Sequence, residues 1–328
     1  MRAIVNHRYG APEDLRVEEI AQPEVGDDRV LVRVRAASVN PIDWHLMRGS
    51  PYIVRLFMGL RQPKSPRLGS DVAGTVEAVG RDVREFRPGD EVLGSCHGAF
   101  ADYVLGREQN LVLKPAGVSF EAAAALPGAG VTALEAVRDY GRVGPDQAVL
   151  VNGASGGVGI FTVQIAKWFG AHVTAVCSGR NAELVCALGA DEVIDYTRED
   201  FTRKRRSYDV IIDTVGNRPL LRLKRALKQD GTLVAVAGGE GGRLLGGLTR
   251  KLRVRALDRV VQETLTTFQA AMRKDDILAV AELAAAGTLT PHIDRRYGLD
   301  QAAEAIRYVE THRARGKVVL LIAPEEGR

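Results

Sequence analysis

The spacing of apolar positions divides the chain into two stretches of different rhythm. In the first, residues 30–36 alternate with a period of two after the turn signal Gly26-Asp27-Asp28, which predicts a half-buried strand. Residues 71–79 predict a second strand, residues 91–93 a third after the turn Pro88-Gly89-Asp90, and residues 101–105 a fourth. Ser119 precedes the apolar run 120–125 and is placed to cap a helix.

From Ala148 the rhythm changes. Residues 148–152 form a short apolar run of buried-strand type. Residues 157–170 then read as helix, with Val158, Phe161, Ile165 and Trp168 or Phe169 on one face. Strands at 172–177, 192–195, 208–215 and 232–237 alternate with helices at 181–188 and 219–227. That alternation predicts a parallel, doubly wound α/β sheet. The chain closes with helix 300–310 and strand 316–322, which is expected to return to the first domain.

A chain of 328 residues that is 45% hydrophobic can bury two cores. Its glycines are dispersed, and no solenoid-type repeat is present. Residues 1–5 lack the apolar core of a signal peptide, and no run of about 18 apolar residues predicts a membrane span. Cys96, Cys177 and Cys186 are widely spaced, as expected of free thiols in a reducing compartment, so the expected location is cytoplasmic. The formal charge is +4, with basic runs at 203–206 and 250–259. No aromatic residues interleave these runs, so nucleic acid is not an expected partner.

The chemistry concentrates in Asn152-Gly153-Ala154-Ser155-Gly156-Gly157-Val158-Gly159, between a strand and a helix. A phosphate-binding turn needs small residues there, so that the backbone can approach a pyrophosphate at the helix N-terminus. Ala154 replaces the first glycine of the usual fingerprint, and Gly156 and Gly159 hold the second and third places. The next strand ends in Cys177-Ser178-Gly179-Arg180, without the acid that would hold a ribose 2′-OH. Ser178 and the planar fork of Arg180 suit a 2′-phosphate, hence NADPH; otherwise Arg180 decorates a surface helix.

Several segments resemble the zinc-independent quinone-oxidoreductase branch of the medium-chain dehydrogenase/reductase superfamily. They are residues 37–43 (Ala-Ser-Val-Asn-Pro-Ile-Asp), 68–76, 98–103, the glycine loop, 189–196 and 316–319, in the family's order and nearly end to end. The resemblance implies a GroES-like β-rich catalytic domain, residues 1–122 and 263–328, around a Rossmann NADP-binding domain, residues 123–262. It implies that Tyr196 and Arg313 approach the 2′-phosphate, the alternatives being a core tyrosine and a solvated arginine, that Thr132 and Ala133 sit near the nicotinamide, and that Gly238 and Gly239 pass the nicotinamide ribose. Zinc relatives place Cys where this chain has Asn40 and Gly-His-Glu where it has Gly69-Ser70-Asp71, so no metal is expected.

Asn40, Asp43 and Tyr52 occupy the family's active-site positions, and His45 stands where related enzymes often carry Tyr. Three of them have an alternative use: Asp43 as a helix cap, His45 and Tyr52 as packing. The implied reaction is hydride transfer from NADPH to a quinone or to the C=C of an α,β-unsaturated carbonyl compound. Two rivals are an enoyl-thioester reductase, with residues 52–66 as channel wall or lid, and an NADPH-binding regulatory or RNA-binding protein without turnover. A homodimer is also expected, from the resemblance, the apolar stretch 244–248 and a strand-like edge at 252–257.

Overall fold

The computed structural model describes residues 1–236, 246–259 and 261–322, which form two compact units: residues 1–131 with 271–328, and residues 132–270.

The first unit is built on a seven-stranded sheet. Val30–Val39 lies at its centre, antiparallel to Asp71–Val79 on one side and to Lys317–Leu321 on the other. Asp71–Val79 continues to Glu91–Ser95 and Leu111–Leu113, and Ile293–Gly298 runs parallel to Lys317–Leu321. The last described strand does return to the first unit, with Val318 opposite Val39. Burial explains the register. Val30, Val32, Val34, Val72, Val92 and Val104 all lose their solvent exposure inside one apolar cluster, and a one-residue slip would turn that set outward. Ser119 caps Phe120–Ala125, its hydroxyl accepting from the Ala122 amide at 3.2 Å.

The second unit is a six-stranded sheet whose described ladders are all parallel. Its order is Glu192–Asp195, His172–Cys177, Ala148–Asn152, Tyr208–Asp213, Leu227–Ala235 and Thr264–Thr267. This is the doubly wound order, with the chain reversing direction beside Ala148–Asn152. The β-rich unit and this parallel sheet together are the expected α/β architecture. Thr264–Thr267 follows residue 262, where the sequence suggested the second boundary, and pairs in this sheet because Leu265 is needed in its core.

One expectation fails. Residues 252–257 are not an edge strand but part of the helix Leu248–Asp258. The alternation of Leu252, Val254 and Ala256 with Arg mimics a period of two. Leu, Arg, Lys and Ala are nevertheless strong helix formers, and only Val254 of the helix is fully buried. The expected stretch 244–248 begins outside the described residues.

Candidate active site

The dinucleotide loop is shaped by its small residues. Gly153 has φ +84°, open mainly to glycine, and both its amide and that of Ala154 donate to Val176 O at 3.1 Å. A Cβ on Gly159 would stand 2.1 Å from Gly153 O, so only glycine lets the helix Gly159–Trp168 start this close to the turn. Ala154 is fully buried, which explains a methyl at the first fingerprint position. Ser155 lies beside Asn181, whose amide donates to its hydroxyl at 2.8 Å, while Asn181 Oδ1 is buried without a hydrogen-bond partner. Gly156, Gly157 and Val158 line the half-buried top of the turn, before a helix start whose N–H groups favour an anion. The cradle therefore fits a pyrophosphate.

Sequence-distant residues meet at the ends of the neighbouring strands. Cys177 pairs with Asp195, and the Tyr196 amide donates to Cys177 O at 3.1 Å. Ser178, half-buried, and Arg180, exposed, thus share one rim with Tyr196, which is 48% exposed. Asp195 is the acid that reading along a single strand misses. Its carboxylate accepts from Thr197 Oγ1 at 2.7 Å and Thr197 N at 3.0 Å. Those bonds, the Gly179 amide and nearby Arg198 hold its pKa below the usual carboxylate range. The carboxylate is therefore already engaged by Thr197 and the Gly179 amide.

Arg313 lies on an exposed turn of the first unit, after the helix Ala302–Glu310. Thr132, half-buried, and Ala133, buried, lie in the helix Pro127–Glu135. Gly238 and Gly239 lie outside the described residues. Beneath the loop, Asn152 donates to Asp213 at 2.8 Å, and Asp213, fully buried, pairs with Arg250 at 2.5 Å. Part of the second basic run is thus consumed as an internal counter-charge.

In the first unit the sequence-predicted Asn40 and Asp43 come together with two residues that the sequence did not single out as site residues, Asp71 and Lys317. Lys317 Nζ donates to Asn40 Oδ1 at 2.6 Å, and Asn40 Nδ2 donates to Asp71 Oδ2 at 2.9 Å and to Ser38 O at 3.2 Å. Asp71 also accepts from the Gly128 amide at 3.1 Å. Both amide hydrogens of Asn40 are therefore engaged. Asp43 accepts from the Asn40 backbone amide at 2.7 Å, the capping geometry of the helix Pro41–Arg48.

These groups are buried, and burial dominates their titration. It raises Asp43 to about 7 despite the Asn40 amide, with the Asp71 charge adding to the rise. It raises Asp71 despite Lys317 and Asn40, and it lowers Lys317 despite both carboxylates. Lys317 was missed because a lysine opening a strand normally reads as solvated; its signal was the position within the segment 316–319. Buried Cys96 lies near enough to Asp71 for that charge to add to burial in raising its thiol to about 12.

His45 stacks on Trp44 at 3.6 Å between ring centroids, and its Nδ1 lies 2.8 Å from Ser50 O. Because a carbonyl only accepts, Nδ1 carries the proton. Burial also lowers the pKa, so the ring is held neutral and packed. Tyr52 is 42% exposed, with the Arg55 guanidinium 4.6 Å from its ring centre. Among the described residues no three His, Cys, Asp or Glu side chains converge as a metal-binding group. No helix among them is long and apolar enough to cross a membrane.

Comparison with known proteins agrees with this fold. The family description "alcohol dehydrogenase GroES-like domain" matches residues 26–116, and "zinc-binding dehydrogenase" matches residues 188–320. A chloroplastic quinone-oxidoreductase of Triphysaria versicolor is 35% identical, over 98% of both chains. The 2-methylene-furan-3-one reductase of Solanum lycopersicum is 32% identical, over 95% of this chain and 76% of its own. The solved quinone oxidoreductase of Coxiella burnetii superposes with a TM-score of 0.87 at 30% identity, over 98% of this chain and 99% of its own.

Proposed function

The chain belongs to the medium-chain dehydrogenase/reductase superfamily, in its quinone-oxidoreductase branch, and from that premise we propose that it is a zinc-independent, NADPH-dependent reductase of quinones or of the C=C of α,β-unsaturated carbonyl compounds. The observation that carries the proposal is the pairing of a glycine cradle at Gly153–Gly159 with a strand-end rim of Ser178, Arg180 and Tyr196, whose nearest acid is internally engaged. When bound, NADPH supplies the hydride. The names of the plant quinone and furanone reductases support an acceptor whose double bond is conjugated to oxygen.

The residues divide the work as follows. The loop amides hold the pyrophosphate, and Ser178 and Arg180 hold the 2′-phosphate. Asn40 orients the local backbone rather than donating to substrate, since both its amide hydrogens are engaged. Asp43 caps its helix, and His45, neutral and packed, is a poor acid at neutral pH. We assign the proton that completes the reduction to water. Zinc independence is supported by an Asn40–Lys317 hydrogen bond at the position where zinc relatives place a cysteine ligand.

We read the protein as a cytoplasmic homodimer; with residues 252–257 helical, the surface proposed for self-association is the sheet edge, which among the described residues is Thr264–Thr267. A monomeric mass by light scattering at micromolar concentration would refute the dimer. The function is tested by following NADPH oxidation against quinones, enals, enones and enoyl-thioesters, with metal content measured on the same sample. Turnover of quinones or enones without stoichiometric zinc supports the proposal. Turnover confined to thioesters, or abolished by chelation, overturns it.

A further inference from the structure

The first basic run, residues 203–206, is left without a role by the dinucleotide site. It forms one wall of an open cleft of about 330 Å³ in the second unit, lined by Asp200, Thr202, Arg203, Arg205, Arg222 and Arg225. Four guanidinium groups face one carboxylate there.

The two walls are fixed to each other. The Arg206 amide donates to Arg225 O at 3.0 Å and the Ser207 amide to Ala226 O at 2.9 Å, tying the 203–207 segment to the end of the helix Leu220–Ala226. Arg206 holds a φ of +49°, a left-handed conformation that a side-chain-bearing residue seldom adopts. Asp200 is already occupied. Its Oδ1 accepts from Thr202 N and Oγ1 at 3.1 and 2.8 Å, and Arg218 and Arg222 stand 3.7 and 3.6 Å from its carboxylate.

The surrounding cations are sorted by type. Lys204 faces Glu192 at 3.6 Å, Lys224 faces Glu263 at 3.2 Å and Lys228 faces Asp209 at 2.8 Å. Arg203, Arg205 and Arg225, by contrast, have no acidic partner among the described residues. The lysines of this region are neutralised, and three of the four arginines that line the cleft are left over, Arg222 alone standing near Asp200. Bringing like charges together around a concavity is unfavourable unless an anion joins them, and planar guanidinium forks match phosphoryl oxygens in particular.

We propose that this cleft is a binding site for a polyphosphoryl anion, separate from the dinucleotide loop. One carboxylate ligand would leave most of the positive charge unmatched, whereas a chain of two or three phosphoryl groups balances it. The lining offers no aromatic ring on which a base could stack, because Phe201 is buried under the Arg218 guanidinium, 5.6 Å from the ring centre. The cleft therefore reads phosphoryl groups and not single-stranded nucleic acid.

The test is calorimetric titration of the full chain at fixed ionic strength with orthophosphate, pyrophosphate, tripolyphosphate, ATP and a short oligouridylate. The comparison proteins are Arg203→Gln/Arg205→Gln, which alters two exposed side chains without acidic partners, and Arg180→Gln, which alters the dinucleotide rim. Tripolyphosphate is expected to bind at least tenfold more tightly than orthophosphate. The double variant should weaken it by about a hundredfold, tenfold for each guanidinium removed, with the melting temperature of the free protein kept. Arg180→Gln should leave it unchanged. ATP binding like tripolyphosphate assigns the site to the phosphoryl chain alone, and ATP binding more tightly assigns it to a nucleotide. The proposal is overturned by any of three results: no saturable binding at millimolar tripolyphosphate, weakening by Arg180→Gln but not by the double variant, or tighter binding of the oligouridylate than of tripolyphosphate.

Discussion

Lys317 and Asn40 lie 277 positions apart and share a buried hydrogen bond of 2.6 Å, the ammonium donating to the carboxamide. The bond fixes the amide's orientation. With its oxygen facing Lys317, the nitrogen must face Ser38 O and Asp71, and Asp71 in turn takes the Gly128 amide. One cation thus organises the ends of three strands, Lys317–Leu321, Val30–Val39 and Asp71–Val79.

Removing that cation strands a carboxylate in the interior. Lys317→Met is expected to lower unfolding free energy by roughly 3–5 kcal/mol, the usual cost of breaking a buried charge pair from one side. Lys317→Met/Asp71→Asn should cost clearly less than the sum of the two single variants, because the uncompensated charge is gone. Urea unfolding of the four proteins measures this. Strict additivity would mean that the ammonium and the carboxylate do not depend on each other.

The buried Asp43 makes stability depend on pH in a definite direction. Its folded pKa, about 7, lies above the ordinary 3.8, so its proton is held more tightly in the folded chain. The stability it contributes is full below about pH 4 and is lost as pH rises through 7. The span is at most roughly 4 kcal/mol, about three pH units at 1.36 kcal/mol each. Asp43→Asn keeps an acceptor for the Asn40 amide and removes the titration. The stability of the variant relative to the parent should therefore climb between about pH 4 and pH 7 and level off above. A difference independent of pH would show that Asp43 is ionised throughout.

What the sequence made legible is what repeats or is local. The strands at 71–79, 148–152, 172–177 and 192–195 were readable to the residue because apolar runs between turn signals have one solution in a buried sheet. The glycine loop was readable because its conformation requires its composition. Residues 252–257 misled because period-two alternation was stronger to the eye than helix propensity. Lys317, Asp71 and Asp195 were not singled out as site residues because their roles arise from register. Lys317 is buried only when its strand lies antiparallel to Val30–Val39, and Asp195 meets the Ser178 turn only when the two strands pair.

The loop offers a steric test. A methyl on Gly159 would approach Gly153 O to 2.1 Å, a contact that only a shift of the turn or of the helix start relieves. Gly159→Ala should weaken NADPH at least tenfold, about 1.4 kcal/mol, by disturbing the amides proposed to hold the pyrophosphate. Fluorescence titration of NADPH, with the fold checked by circular dichroism, is the measurement. Unchanged affinity in a folded variant would move the pyrophosphate site elsewhere.

Cofactor preference gives the sharpest test, because one side chain should separate two nearly identical ligands. NADPH differs from NADH by a 2′-phosphate, which the rim of Ser178 and Arg180 is proposed to hold. A charge-assisted contact contributes about 1.5–3 kcal/mol, roughly ten- to a hundredfold in affinity. Arg180 is exposed, and solvent screening places it toward the lower end. Arg180→Ala should therefore raise the KM for NADPH about tenfold and leave that for NADH nearly unchanged. Ser178→Asp should go further, supplying a free acceptor for the ribose hydroxyl where Asp195 is tied to Thr197, and repelling the phosphate. Preference should then move toward NADH. Steady-state kinetics with both cofactors, at one acceptor concentration and one ionic strength, decide the matter. A parent enzyme that already favours NADH, or an Arg180→Ala variant that weakens both cofactors alike, would remove the 2′-phosphate from this rim.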